Sequence, residues 1–264
     1  MTDTNEQRVT VTVTDGVADV RLNRPDKRNA LDHAMFDGIF AAADQVANDA
    51  SVRVVVLSGV GKAFCAGLDT SLLSQMAGER TTESGAFRNL RVDAPRAVRV
   101  WTELSVPVIA AVHGVAVGGG IQLALGADFR IVAPDAQLGA LELRWGIIPD
   151  MCGTQLLPRI VGPDQAKLLM MTARTISGED ALRIGLATQV ADDPYGAAHE
   201  LARELALRNP DGITAIKRLV RIAQDLPFAE GMQQEYDLAG PVIGTANQRE
   251  AVLANLEGRR PQFS

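Results

Sequence analysis

The sequence predicts an α/β fold, and three observations carry that expectation. Short apolar runs such as Val54-Val55-Val56-Leu57 and Val108-Ile109-Ala110-Ala111-Val112 have the length and β-branched content of strands buried on both faces. Small-residue turns close these runs, at Ser58-Gly59 and His113-Gly114. Segments with helical spacing lie between them. With 264 residues, 47% hydrophobic and 22% charged, the chain can bury a core as one domain with appended helices.

Val9, Val11 and Val13 alternate with threonines, Asp15-Gly16 offers turn chemistry, and Val17-Ala18-Asp19-Val20-Arg21-Leu22 runs on, so the chain opens on a β-hairpin. Asn23-Arg24-Pro25-Asp26 ends it. Asp32 is placed to cap a helix in which Met35, Ile39, Ala43 and Val46 recur at helical spacing, and residues 53–57 form the next strand. The stretch from Ala77 to Arg91, with Gly78, Thr81, Thr82, Ser84 and Gly85, has no clear period and reads as a loop leading to a helix around Arg96 to Leu104. Residues 106–112 and 129–133 repeat the buried-strand pattern. Beyond Pro158 the texture is helical, with Ile216, Leu219, Val220 and Ala223 on one face and Val252, Leu253 and Leu256 on another. Such helices either cover the sheet or pack against a partner subunit.

The net charge of −6, with basic residues scattered among acidic ones, argues against a nucleic-acid partner. Cys65 and Cys152 lie far apart with no metal-ligand spacing, so neither a metal site nor a disulfide framework is expected. Residues 1–6 are polar and acidic, and no apolar run has the length a bilayer requires. A soluble protein of a reducing, cytoplasmic compartment is expected.

Two junctions share the pattern strand, small-residue turn, helix. In Gly118-Gly119-Gly120 the glycines precede the apolar run Ile121 to Leu125, whose first amides lack helical partners and can approach a carbonyl or phosphate oxygen. Close helix–strand packing is the alternative use of these glycines. Gly61-Lys62-Ala63-Phe64-Cys65-Ala66-Gly67-Leu68-Asp69 is the second junction, leading into Leu72, Leu73 and Met76. Neither fits a dinucleotide or phosphate-loop fingerprint. Facing one another, the two turns would aim one N–H each at a single oxygen, as an enolate or tetrahedral oxyanion requires; without a ligand they are ordinary loop–helix junctions. Cys65 sits in an apolar context without a histidine base and reads as core. His33, His113 and His199 occupy separate contexts and receive no catalytic role.

Phe64-Cys65-Ala66-Gly67-Leu68-Asp69, residues 107–114 leading into Gly118-Gly119-Gly120, Ala127-Asp128-Phe129-Arg130-Ile131, Gly146-Ile147-Ile148-Pro149 and Gly153-Thr154-Gln155, in this order, closely resemble the enoyl-CoA hydratase/isomerase, or crotonase, superfamily. The resemblance extends from the hairpin, through Arg24-Pro25 and Arg28-Asn29-Ala30-Leu31, to residues 258–263. It implies a crotonase-like spiral of β-β-α units over residues 1–195 and a C-terminal helical oligomerisation region over 196–264, giving a homotrimer or a hexamer of two trimers. It implies an acyl-CoA thioester as substrate, with coenzyme A entering as part of it and no separate cofactor. The amides of Leu68 and Gly119 would hold the thioester oxygen, each such donor contributing roughly 2.7–4 kcal/mol to the barrier reduction. Lys27, Arg28, Ala30, Ala66 and Asp69 match positions lining the CoA moiety, and Phe263 the C-terminal aromatic that approaches the nucleotide of a neighbouring subunit.

Hydratases of this superfamily use two glutamates, and the position of the first is held here by Gln122. A primary amide hydrogen-bonds water or substrate but takes no proton at neutral pH, so the two-carboxylate machinery for hydration is incomplete. The second glutamate matches Glu142, and Asp150 stands eight residues on, a spacing similar to that of dienoyl-CoA isomerases. The catalytic candidates are therefore Glu142, Asp150 and Gln122, with Glu142 as proton shuttle and Asp150 as a second acid or as a like charge raising the Glu142 pKa. Trp145 lines the acyl pocket or belongs to the core. Moving a double bond of an enoyl- or dienoyl-CoA is the first functional expectation; hydration of a 2-enoyl-CoA and non-catalytic acyl-CoA binding are the alternatives.

Overall fold

The computed structural model describes residues 7–78 and 85–264, with side chains except in 77–91. In chain order the elements are β1 (Val9–Thr14), β2 (Val17–Leu22), α1 (His33–Asn48), β3 (Val54–Gly59), α2 (Thr70–Gly78), α3 (Gly85–Glu103), β4 (Val108–Val112), β5 (Val115–Val117), α4 (Gly119–Leu125), β6 (Phe129–Val132) and β7 (Gln137–Gly139). Then follow α5 (Gly153–Val161), α6 (Pro163–Thr172), α7 (Gly178–Arg183), β8 (Gln189–Val190), α8 (Pro194–Ala206), α9 (Pro210–Ala223), α10 (Phe228–Val242) and α11 (Ala246–Glu257). Short 3-10 turns occupy Pro25–Lys27 and Glu142–Trp145.

The hairpin forms as the sequence requires: Asp15 (φ 50°) and Gly16 (φ 80°) are both left-handed, the turn whose twist matches antiparallel strands. From β2 onward the pairing is parallel, and the six-stranded sheet runs β1-β2-β3-β4-β6-β8. Asp32 caps α1, its Oδ1 accepting from Met35 N at 2.8 Å. One face of the sheet packs on α1, α3 and α4 through Phe36, Leu57 and Trp101. The other face is covered by α8, whose Ala198 and Ala202 are buried against Val54, Val56, Ile109 and Ile131. Sheet-covering helix thus continues to Ala206, past residue 195.

Three elements escaped the sequence pattern. β5, β7 and β8 hold three, three and two residues, too short to show an alternation. β5 and β7 form a separate parallel pair. Helix α3 begins at Gly85 rather than near Arg96 and continues through Pro95, whose ring costs the helix one hydrogen bond without ending it. Of the expected loop, residues 79–84 lie outside the described residues.

Helices α9 and α10 bury no residue within the chain. Their apolar stripes face outward, with Ile216 63% and Val220 62% exposed, as does Leu256 of α11. α9 is latched by Lys217, whose Nζ donates to Asp128 Oδ2 (2.8 Å), Val106 O (2.9 Å) and Trp101 O (3.3 Å). Beneath α9 lies an apolar groove of about 780 Å³. Among the described residues no helix is long and apolar enough to cross a membrane, and no cluster of ligating side chains is arranged for a metal ion.

Candidate active site

The first junction, between β3 and α2, is held by side chains. Asn29, fully buried at φ 57°, donates its Nδ2 to Ala63 O (2.8 Å), Val60 O and Phe64 O (both 3.1 Å), while its Oδ1 accepts from Arg24 N (2.8 Å). Arg24 Nη1 reaches Asp69 Oδ2 at 2.6 Å, and Asp69 Oδ1 accepts from Ser71 N at the start of α2. Burial acts to raise the Asp69 carboxyl, but the bonds from Ser71 and Arg24 outweigh it and hold it at about 2. The backbone is tied on both sides: Cys65 bridges Ala116 of β5, and Leu68 bridges Leu31. In the second bridge, Leu31 N donates to Gly67 O and Asp69 N to Leu31 O, so the Leu68 N–H points away from Leu31. Cys65 is inert core. Its thiol is bonded to Asn29 O and pushed up to about 12 by burial.

The second junction is held by backbone packing. Gly118 adopts φ 57° and ψ −128°, a conformation that side-chain-bearing residues do not tolerate, and its N–H is spent on Gly139 O at 2.8 Å. Gly119, the first residue of α4, therefore presents an amide with no helical partner. The two turns nearly touch: a Cβ on Gly67 would lie 3.2 Å from Gly119 N.

The acidic side chains complete the arrangement. Glu142, on the 3-10 turn after β7, is only 6% exposed. Its Oε1 accepts from Gln122 Nε2 at 2.5 Å and lies beside Gly118, while its Oε2 is buried with no hydrogen-bond partner. Burial raises the Glu142 pKa above the ordinary carboxyl value; hydrogen bonding from its own backbone and then from Gln122 opposes this, and the charge of Asp150 adds to it. Of the two roles expected for Asp150, the like-charge one corresponds to this field. Gln122 is fully buried, its Oε1 accepting from Met151 N (3.0 Å) and Gly153 N (2.8 Å). Because that oxygen takes two N–H donors, the amide orientation is set by its surroundings.

Gln122, Glu142, Asp150, Leu68, Gly119, Ala66 and Trp145 line one cavity of about 130 Å³, together with Leu73, Met76, Leu141, Ile147 and Met151. Trp145 is 59% exposed, so it is a wall of this cavity and not core: the 3-10 turn sends it outward while Glu142 points in. Lys27, Arg28, Ala30, Asp69 and Phe263 are not among the described residues lining it. Lys27 and Arg28 are exposed on the neighbouring turn, where Ala66 N donates to Arg28 O at 2.9 Å; Ala30 is half-buried there. Asp69 is turned away into its ion pair, and Phe263 lies half-buried on the tail whose Ser264 N bonds Asn247. The staple Asn29 and the amides of Met151 and Gly153 escaped sequence reasoning. A buried Asn at positive φ has a local signature only in the Arg28-Asn29-Ala30 turn; backbone donors have none.

Leu68, Gly119 and a buried carboxylate whose Oε2 has no hydrogen-bond partner thus share one cavity. The family model described as enoyl-CoA hydratase/isomerase matches residues 12–264. The crotonyl-CoA hydratase of Syntrophomonas wolfei is 33% identical over 245 residues, covering 92% of each chain. The 1,2-epoxyphenylacetyl-CoA isomerase of Escherichia coli is 35% identical over 256 residues, covering 94% of this chain and 95% of that one. Among solved structures, the enoyl-CoA hydratase of Bacillus anthracis superposes with a TM-score of 0.91 at 34% identity, covering 97% and 99% of the two chains. The chain belongs to the enoyl-CoA hydratase/isomerase family, and its α/β spiral is the crotonase fold.

Proposed function

We propose that the protein is an isomerase that moves a carbon–carbon double bond of an enoyl- or dienoyl-CoA, with Glu142 as the proton shuttle. The observation that carries this reading is the Glu142 carboxylate, which lines the cavity with its Oε1 tied to an uncharged amide and its Oε2 buried and unpartnered. On a 3-enoyl thioester, Oε2 takes a proton from C2. The electron pair of that C–H bond passes through the conjugated system to the thioester oxygen, which accepts hydrogen bonds from Leu68 N and Gly119 N. The same carboxyl then returns a proton to C4, the electrons close the C2=C3 bond, and the enzyme is restored. Gln122 cannot accept a proton, so no second carboxylate stands at its position to activate water.

Leu73, Met76, Trp145 and Met151 would contact the acyl chain, and Lys27, Arg28, Ala30 and Ala66 the coenzyme A moiety. Asp69 would serve by fixing the turn that carries Leu68. The outward apolar faces of α9, α10 and α11 support a cytoplasmic homotrimer or hexamer in which Phe263 approaches a neighbour's nucleotide. Hydration is the second reading, favoured by relatives named as hydratases.

Incubation with a 3-enoyl-CoA and, separately, a 2-enoyl-CoA tests the ranking. Isomerisation of the first, with slow or no water addition to the second, is expected. Water addition at a comparable rate would overturn it, and tight thioester binding without any turnover would assign a non-catalytic binder. Isomerisation that persists unchanged in Glu142→Ala would remove the proposed base.

A further inference from the structure

We propose that Gln122 is a positioning residue that leaves Glu142 a single working oxygen, so that every proton the site moves passes through Oε2. The proposal rests on the reading of Glu142 as the base. Three bonds carry it: Met151 N and Gly153 N both donate to Gln122 Oε1, and Gln122 Nε2 donates to Glu142 Oε1.

These bonds form a relay of fixed polarity. The backbone between the two amides bends through Cys152 at φ 67°, an unfavourable angle for cysteine, and aims both N–H groups at one acceptor just where α5 begins. Their convergence forces the opposite end of the Gln122 amide, its NH2 group, towards Glu142. Since that nitrogen can only donate, Oε1 can only accept, and a proton taken up by Glu142 resides on Oε2.

The same residue sets distance as well as polarity. Gln122 N closes the first turn of α4 on Gly118 O at 3.3 Å, so Gln122 and the Gly119 amide belong to one helical turn. The carboxylate is thereby registered against that amide through a chain of short bonds. A carboxylate at position 122 would satisfy the same two backbone donors, but it would meet Glu142 across 2.5 Å and the two would have to share a proton. Only a neutral amide keeps the relay direction independent of pH.

The titratable surroundings are few. Asp150 acts on Glu142 from the loop before α5 and lines the same cavity. α4 carries no charged residue, Asp69 is turned to Arg24, and Arg144 of the 3-10 turn donates its Nε to Ala173 O.

The test pairs Gln122→Leu with Gln122→Glu, reading kcat and KM against pH and, independently of turnover, the titration of the Glu142 carboxyl by carbon-13 NMR of the intact protein. In Gln122→Leu, kcat should fall about 10- to 100-fold with KM little changed. The acid limb of the profile and the NMR titration should both move up by about one pH unit, as expected on losing one hydrogen bond to a charged group. Gln122→Glu keeps the backbone bonds and so remains informative should the leucine variant not fold. It should work at low pH, where the introduced side chain is protonated and still donates, and gain an alkaline limb that the native enzyme lacks. An unmoved Glu142 titration in folded Gln122→Leu, or a native pH profile in Gln122→Glu, would overturn the proposal. Glu142→Gln in the same assay separates the two levels: full turnover there sinks the reading of Glu142 as base, whereas the NMR titration still reports whether Gln122 governs the carboxyl.

Discussion

The two junctions that carry Leu68 and Gly119 are held in place by different means. The first is assembled from side chains distant in sequence: Asn29 gathers three carbonyls, and Arg24 crosses to Asp69. The second is nearly bare backbone, shaped by the dihedral angles of Gly118 and by the pairing of Gly118 N with Gly139 O. A stapled turn fails by degrees as staples are removed. A glycine turn has one conformation that works, so it tolerates no substitution at the critical residue.

The largest effect is therefore expected from Gly118→Ala. The added Cβ is incompatible with φ 57° and ψ −128°, so the Gly119 amide must rotate, and kcat/KM should fall by about 10²- to 10³-fold, the usual effect of losing one oxyanion donor. A folded variant with near-native kcat/KM would show that Gly119 N does not take part. Next comes Asn29→Leu, which strips hydrogen bonds from two buried carbonyls, one half-buried carbonyl and one N–H. It should lower unfolding stability by about 3 kcal/mol in denaturant titration, with activity lost in proportion to unfolding. A loss of activity much greater than the loss of folded protein would contradict the purely structural role. Arg24→Met should be milder, costing about 1–3 kcal/mol, between the values for surface and buried pairs. It carries a pH signature: the Asp69 carboxyl, at about 2 when folded against an ordinary 3.8, adds stability that is complete above pH 4 and lost as pH falls through 2. Without Arg24 the folded value rises, so acid unfolding should begin at higher pH. An unchanged acid midpoint would break the link.

The same contrast explains what could be read from sequence. The hairpin, the Asp32 cap, the buried strands and both glycine junctions were legible because each rests on a local pattern: alternation, a capping residue, an apolar run, a small-residue turn. Gln122, Glu142, Leu68 and Gly119 were legible through motif order, and they do converge on one cavity. Bonds across long sequence separations were not legible. Nothing in Arg24 announces Asp69, and nothing in Met151 or Gly153 announces that their amides hold Gln122. β5, β7 and β8 were missed because their stability comes from their partners and not from their own composition. For Asp69, the place in the motif is visible in the sequence while the ion pair to Arg24 is not.

The bridge between Leu31 and Leu68 turns the Leu68 N–H away from Leu31, so this donor is a property of the main chain. Among point mutations only one to proline deletes it, as every other residue carries the same group. The groups proposed to choose a reaction, by contrast, are the ordinary side chains at 122, 142 and 150, each one substitution from a different chemistry. On the proposed function, the molecule is thus divided into a heritable constant that recognises a carbonyl and a small alphabet of replaceable letters that decides what happens next to it.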